Sequence, residues 1–320
     1  MRILITEPLI QSAADKLKEH FDVEIGERGS YYNEQAMIEA ATKFDGIMTV
    51  LSNPVTENVL KAGDRLKVIG HYGVGYNNID TDAAREQGIR ISNTPDVLTD
   101  STAEIALSLL LSAARQTNPA EKFLREGKFE GWAPDLFVGL ELHGATLGVL
   151  GMGRIGEGLA RRAKACGMNI LYHNRSRANK KVEEELEAAY RPDLNQMLEE
   201  IDALSIHCPL TDETHHLINE ERLNLMKDHA ILVNTARGPV VDEAALARAL
   251  HEGHLGGAGL DVFEKEPKVH PELLTAPNTV LLPHIGSATY KSRKAMGDLA
   301  ANAIIGVLNG EAESVPNLVV

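Results

Sequence analysis

The stretch Gly151-Met152-Gly153-Arg154-Ile155-Gly156 decides how this chain is read. Ahead of it runs Ala145-Thr146-Leu147-Gly148-Val149-Leu150, short and apolar, which predicts a buried strand. Behind it Ile155, Leu159 and Ala163 recur on one face of a helix that Gly167 closes. A second apolar run over 168–172 predicts the next strand. A G-x-G-x-x-G carries meaning only in this strand–turn–helix–strand setting. The first glycine makes the tight turn, the second lets a pyrophosphate approach the backbone, and the third lets the helix pack on the strand. The helix N-terminus supplies free N–H groups and a partial positive charge. Gly151, Gly153 and Gly156 therefore predict a dinucleotide site; the plainer alternative is an ordinary tight strand–helix turn.

The second strand of this unit runs out into His173-Asn174-Arg175-Ser176-Arg177. A unit that reads NAD places Asp or Glu here to hold the ribose 2′-OH. This chain has Asn174, so nothing at that position repels a 2′-phosphate. Arg175 and Ser176 can bind one through charge-assisted hydrogen bonds. The pattern favours NADP(H) over NAD(H), against the plainer alternative of a solvated basic turn.

Outward from the centre, the chain alternates strand and helix on both sides. On the N-terminal side, apolar runs predict strands at 2–6, 23–25, 46–50, 66–70 and 89–92, with helices at 9–20 and 34–43. Asp80 can cap a further helix that Gly88 stops. On the C-terminal side strands are predicted at 146–150, 168–172, 203–207, 230–234, 256–260 and 279–282, with Asp193 and Asp242 as helix caps. A long helix covers 101–115, resuming near 119, and a last one covers 289–308. The segment 127–143 has weak periodicity and holds the one tryptophan, Trp132, as an arm or irregular loop. Such alternation implies parallel sheets covered by helices, and two series of it imply two α/β domains of similar, doubly wound architecture.

Composition sets outer limits. The 320 residues are 43% hydrophobic and 24% charged, the profile of a globular protein. The formal net charge of −14 argues against a nucleic-acid or anionic-membrane partner, since both need a basic surface. Two cysteines, Cys166 and Cys208, have no metal-ligand spacing, and neither a metal nor a disulfide framework is expected. No signal-peptide core or membrane span is visible, so a cytoplasmic protein is expected.

Three later strands each carry a chemically active group just past their end. Thr235-Ala236-Arg237 follows one, Asp261 and then Glu266 another, and His284-Ile285-Gly286 the third. In open α/β sheets the ligand crevice lies beyond the carboxyl ends of the strands, so an Arg, a Glu and a His can converge there. A guanidinium forks onto a carboxylate and polarises the neighbouring carbonyl. A histidine gives a proton to an alkoxide as it forms. A carboxylate on the other ring nitrogen fixes a histidine's tautomer and favours its charged form. Singly, each of these residues is equally at home as a surface charge or a structural side chain.

Taken together, Gly151 to Gly156, His207-Cys208-Pro209-Leu210-Thr211, Asn234-Thr235-Ala236-Arg237-Gly238, Gly259-Leu260-Asp261-Val262-Phe263-Glu264-Lys265-Glu266-Pro267 and Pro283-His284-Ile285-Gly286-Ser287-Ala288-Thr289 resemble the signatures of the D-2-hydroxyacid dehydrogenases. Within that family the chain is most similar to glyoxylate/hydroxypyruvate reductases. The resemblance spans nearly the whole chain, with the motifs in family order. It implies two Rossmann/flavodoxin-like domains with the active site in the cleft between them. One is a substrate domain of 1–99 plus 288–320, the other a dinucleotide-binding domain of 100–287 with a dimerisation arm. It implies Arg237 as the substrate-holding and polarising group, His284 as acid/base and Glu266 as its partner. Leu51, Ser52, Val74 and Gly75 fall on the substrate carboxylate side. Thr102, Arg154, Ile155, Cys208, Pro209, Thr214, Thr235, Ala236, Asp261 and Gly286 join the glycine loop and Asn174, Arg175 and Ser176 around the cofactor. Trp132 either narrows the substrate pocket of a partner subunit in a homodimer or packs the arm. The implied activity is NADPH-dependent reduction of glyoxylate to glycolate and hydroxypyruvate to D-glycerate. A D-lactate or broader 2-ketoacid reductase is the second reading. A nucleotide-sensing interaction protein, as in corepressors resembling this family, is the third.

Overall fold

A computed structural model describes residues 1–320, which form two compact units, Met1–Leu98 with Ser287–Val320 and Thr99–Gly286. The first unit carries strands β1 (Arg2–Ile5), β2 (Asp22–Ile25), β3 (Gly46–Thr49), β4 (Val68–His71) and β5 (Arg90–Ser92). They make one sheet in the order β2-β1-β3-β4-β5, with every pairing parallel. Leu4, Ile47, Ile69 and Ile91 pack on one face. Ile3, Ile5, Met48 and Val68 pack on the other with the helix Tyr290–Leu308. The inner strands β1, β3 and β4, buried on both faces, need unbroken apolar runs, whereas the edge strand β2 alternates and is mostly exposed.

The second unit carries β6 (Thr146–Leu150), β7 (Asn169–His173), β8 (Ala189–Tyr190), β9 (Ala203–Ile206), β10 (Ile231–Asn234), β11 (Gly257–Leu260) and β12 (Thr279–Leu281). The order is β12-β11-β10-β9-β6-β7-β8, again parallel throughout. Chain direction across the sheet reverses between β6 and β9, and ligands of open α/β sheets bind at such a switch point. The glycine stretch leaves β6 there. The helix Thr99–Ala114 packs Ala103, Ala106, Leu109 and Leu110 against this sheet beside Leu147, Val149, Leu159 and Ala163. Leu204, Ile206, Leu232, Leu246 and Leu250 fill the opposite face.

Both units are thus α/β with wholly parallel sheets, as the alternation predicts. Asp80, Asp193 and Asp242 cap helices with their side chains, accepting from Ala83, Asn195 and Ala245 N–H groups. Segment 127–143 has neither helix nor strand. The helices Glu57–Lys61, Lys180–Leu186 and Glu220–Leu223 and the two-residue β8 are additions to the sequence-based layout. They are too short for an apolar period to build up, and their starts rest on the caps Thr56, Asn179 and Asn219. No helix is long and apolar enough to cross a membrane.

Candidate active site

The three glycines after β6 have three distinct steric reasons. Gly151 sits at φ +100°, and a Cβ there would meet the Cys208 amide nitrogen at 2.6 Å. Gly156 lies in the helix Arg154–Ala165 with its missing Cβ 2.3 Å from the Gly151 carbonyl oxygen, so only glycine lets helix and strand approach. Gly153 faces open space, with nothing within 4 Å of a Cβ position, and no side chain caps the helix that begins after it. Bare backbone, an uncapped helix N-terminus and room beside them make a cradle for a pyrophosphate. Arg154 is exposed and Ile155 half-buried at its mouth.

At the end of β7 the Asn174 Oδ1 accepts the Met152 N–H at 2.7 Å, so this side chain ties the strand end to the glycine loop. Tyr190 donates to the Asn174 carbonyl at 3.1 Å. Of the two arginines here, Arg177 is committed: its Nε bonds Glu183 at 2.7 Å and its guanidinium lies over the Tyr190 ring. Arg175 and Ser176 are exposed. Thr211, the Glu213 backbone and then the charge of Arg175 hold the Glu213 carboxyl below its ordinary range. Arg175 therefore acts electrostatically on the loop that follows β9.

That loop holds Cys208, Pro209 and Thr214. Burial, against an opposing backbone hydrogen bond, pushes the Cys208 thiol up to about 11, which leaves it a thiol and no nucleophile at neutral pH. Burial pulls His207 down to about 4, and its ring sits 2.9 Å from the Ser205 hydroxyl. Thr214, expected beside the cofactor, closes its own turn: its hydroxyl donates to the Pro209 carbonyl at 2.7 Å and accepts the Thr211 N–H at 2.7 Å. Its contribution is the shape of the loop.

At the end of β10, Asn234 is buried and grips the turn that follows. Its Oδ1 accepts the Ala236 N–H at 3.0 Å and its Nδ2 donates to the Arg237 carbonyl at 2.9 Å. The Thr235 hydroxyl is buried without a partner in the chain. A buried polar group left unpaired is costly, and this one, just past the carboxyl end of β10, has hydrogen-bonding capacity left for a ligand. Thr102 is buried and its hydroxyl lies 3.4 Å from the Cβ position of Gly286, so two further expected residues meet.

Arg237, Glu266 and His284 meet within this same unit. Glu266 Oε1 accepts the Phe263 N–H at 3.1 Å, and Oε2 lies 2.9 Å from His284 Nδ1. An ionised carboxylate only accepts, so Nδ1 carries the proton and Nε2 is the nitrogen left for a ligand. Burial raises the Glu266 carboxyl, but His284, the Phe263 N–H and Arg237 together outweigh it and hold the group below its ordinary range. Burial lowers the ionisation of Arg237 while the charge of Glu266 opposes that. Gly238, next along, has its missing Cβ 1.9 Å from the Phe263 carbonyl carbon, so the arginine turn and the glutamate loop touch backbone to backbone.

His284 has φ +54°, a left-handed conformation that costs a non-glycine residue about 1–3 kcal/mol and persists only when neighbours impose it. Asp261 is the imposing neighbour. It is 1% exposed, and its two oxygens accept the Ile285 and Gly286 N–H groups, each at 2.7 Å. Burial, first among its influences, raises this carboxyl. With both oxygens spent on the histidine loop, Asp261 works as a brace.

In the first unit the edge beyond the carboxyl ends of the sheet holds the remaining expected residues. Asn93 donates to the Val74 carbonyl at 2.8 Å, and His71 Nε2 lies 3.0 Å from the Gly75 carbonyl. The carbonyls are thus turned inward and satisfied, while the Val74 and Gly75 N–H groups meet no backbone acceptor in the chain. Leu51 is half-buried and Ser52 exposed. They precede Asn53, a fully buried side chain that accepts from the Val50 N–H at 2.7 Å and the Thr6 hydroxyl at 2.8 Å. Trp132 lies on the irregular segment of the second unit and is 85% exposed.

Residues 107–286, within the second unit and ending at Gly286, match the family described as D-isomer specific 2-hydroxyacid dehydrogenase, NAD binding domain. The chain belongs to this family. It is 47% identical to the glyoxylate reductase of Thermococcus onnurineus over 97% of this chain and 93% of that one. The crystal structure of a glyoxylate reductase from Paecilomyes thermophila superposes with a TM-score of 0.88 at 35% identity, over 100% of this chain and 98% of that one. An NADPH-dependent glyoxylate/hydroxypyruvate reductase from Sinorhizobium meliloti, solved with NADP and malonate, gives 0.85 at 36% identity, over 95% and 92%. As a 2-hydroxyacid dehydrogenase the chain is an oxidoreductase working with a nicotinamide dinucleotide. Gly153's open cradle and the orphan Thr235 hydroxyl fit that cofactor. Asn234, Gly238 and the bracing function of Asp261 escape a reading by residue type. The one available signal is their place inside the motifs, directly after strand ends.

Proposed function

We propose that this dehydrogenase reduces small 2-oxoacids, glyoxylate to glycolate and hydroxypyruvate to D-glycerate, with NADPH preferred to NADH. The observation that carries the proposal is His284 Nδ1 held 2.9 Å from a Glu266 carboxylate beside Arg237. Arg237 forks onto the substrate carboxylate and draws electron density from the adjacent C2 carbonyl. The bound nicotinamide supplies a hydride to C2. His284 releases the proton on Nε2 to the oxygen as negative charge builds there, so hydride and proton together complete the alcohol. Glu266 stabilises the imidazolium before transfer and holds the ring in the tautomer that presents Nε2. Val74 and Gly75 N–H groups and the Leu51-Ser52 loop are assigned to the substrate carboxylate.

Asn174 in place of an acid, with Arg175 and Ser176 exposed beside it, supports NADPH. So does the NADP-bound Sinorhizobium meliloti relative. The glyoxylate reductases among its relatives support the two-carbon substrate. A homodimer belongs to the same reading, supported by an apolar set that a single chain leaves in water: Leu124, Phe129, Trp132 and Val138 are all exposed.

Initial rates with NADPH and NADH, each against glyoxylate, hydroxypyruvate and pyruvate, test this directly. NADPH with glyoxylate or hydroxypyruvate is expected to lead. In the Arg175→Ala, Ser176→Ala double variant NADPH is expected to weaken far more than NADH. Equal losses would remove the 2′-phosphate from this turn, and a lead for pyruvate would move the enzyme to the D-lactate reading.

A further inference from the structure

Glu266 stands near the tip of a very small hairpin. Lys265 and Lys268 face one another as an antiparallel bridge, with the Lys268 N–H on the Lys265 carbonyl at 2.9 Å. The side chains 265–268 are exposed, so the tip has little packing of its own. Its position is decided at its base.

The base is gripped by one buried carboxylate. Glu243, 5% exposed, opens the helix Glu243–Glu252 that follows the Arg237 turn. Its Oε1 accepts the Glu264 N–H at 2.6 Å, and the His270 backbone also bears on the carboxyl, opposing the effect of burial. Glu264 and His270 flank the hairpin, one on each side. Glu264 returns the contact, its Oε1 accepting the Glu243 N–H at 2.9 Å. Together with Gly238, whose backbone abuts Phe263 and Glu264, this joins the Arg237 turn to the Glu266 hairpin.

We propose that Glu243 is a positioning residue for the reductase reaction: with Glu264 as its reciprocal partner, it clamps the base of loop 264–270 and so sets where Glu266 meets His284. The proposal rests on the Glu266–His284 pairing of the preceding section. The charged groups around the clamp are few. Glu264 and His270 face Glu243, and His216 faces Glu264 at 3.2 Å. Arg237 and His284 face Glu266, and Asp261 feels both His284 and Glu266. Burial raises the Glu243 carboxyl, the charge of Glu264 adds to this, and the Glu264 N–H and the His270 backbone oppose it. Two facing carboxylates are kept here although they repel, which fits a geometric duty.

The test compares Glu243→Ala, Glu243→Gln, Glu264→Ala and Glu266→Gln in glyoxylate reduction across pH, with NADPH affinity from fluorescence titration. Glu243→Ala is expected to lower kcat/KM about tenfold, the scale of a sub-ångström displacement of a catalytic group. Its alkaline limb should move toward that of Glu266→Gln, with NADPH affinity unchanged. Glu243→Gln, which keeps an acceptor oxygen, should recover most of the loss. Glu264→Ala, on the more open side of the clamp, repeats the test if Glu243→Ala does not fold. A shifted limb in Glu266→Gln with a wild-type limb in both alanine variants would overturn the clamp. A wild-type limb in Glu266→Gln itself would overturn the pairing beneath it, a distinguishable result.

Discussion

Arg237 is asked to hold a charge where burial disfavours it, and Glu266 is the group that makes this tolerable. In the proposed mechanism, removing the guanidinium takes away both the carboxylate fork and the polarisation of the carbonyl. Arg237→Ala is expected to lower kcat/KM by about 10²-fold or more, about 3 kcal/mol, through interactions that matter most as charge develops. Nucleotide affinity should stay at the wild-type level. Steady-state rates with a fluorescence titration of NADPH separate the two, and retained turnover would take Arg237 out of this role. Glu266→Gln makes a different mark. In the proposed mechanism the imidazole gives up the proton, and the carboxylate faces its other nitrogen. Without the negative charge facing Nδ1, the pH profile of kcat/KM is expected to depart from that of wild type. Glu266 itself is held below its ordinary range in part by His284. A profile identical to wild type would refute the pairing. At this scale the sequence marked which residues stand past strand ends but not what they touch. The sequence does not show that both Asp261 oxygens hold the histidine loop. Nor does it show that the Thr214 hydroxyl closes its own turn. Partner choice depends on loop geometry, which residue type leaves open.

Among elements, the turn from β6 into the helix Arg154–Ala165 gives the sharpest contrast between folding and binding. At Gly156 a methyl would lie 2.3 Å from a backbone oxygen that cannot move aside. The usual gain of Ala over Gly in a helix is about 1 kcal/mol, and the clash exceeds it. Gly156→Ala is therefore expected to destabilise the nucleotide-free protein by about 2 kcal/mol. At Gly153 a methyl meets nothing in the chain and φ is −92°. Gly153→Ala should leave stability within about 0.5 kcal/mol, as at an open surface position, while weakening NADPH by filling the cradle. Thermal unfolding without nucleotide and a binding titration check the pair. Equal nucleotide affinity in Gly153→Ala would mean that the pyrophosphate lies elsewhere. Elements of this kind were legible because parallel strands are apolar on both faces and their helices repeat every turn. The two-residue β8 and the helix Glu220–Leu223 were not, since neither is long enough to carry a period.

At the scale of the molecule the informative residue is Trp132, the one tryptophan in the chain. It is 85% exposed, on an irregular segment beside a helix, Thr117–Arg125, that buries none of its residues. Phe123 and Phe137 stack edge to face nearby, their centroids 5.4 Å apart, so the segment has local order without a core. A net charge of −14 opposes loose self-association, and an apolar surface kept against that repulsion points to a specific contact. If a second copy covers it, the indole reports the event alone. Emission from the concentrated protein should be that of a shielded tryptophan and should move to that of a solvated one on dilution. Light scattering should record the change from two chains to one over the same range. Leu124→Glu, which places another charge on the exposed face, should give the solvated spectrum at every concentration. Whether glyoxylate turnover falls with the same midpoint then decides the function of the arm. A coincident loss assigns Trp132 to the neighbour's substrate site, and full activity in the monomer leaves it with packing alone. A solvated spectrum at all concentrations with one chain in solution would refute the dimer.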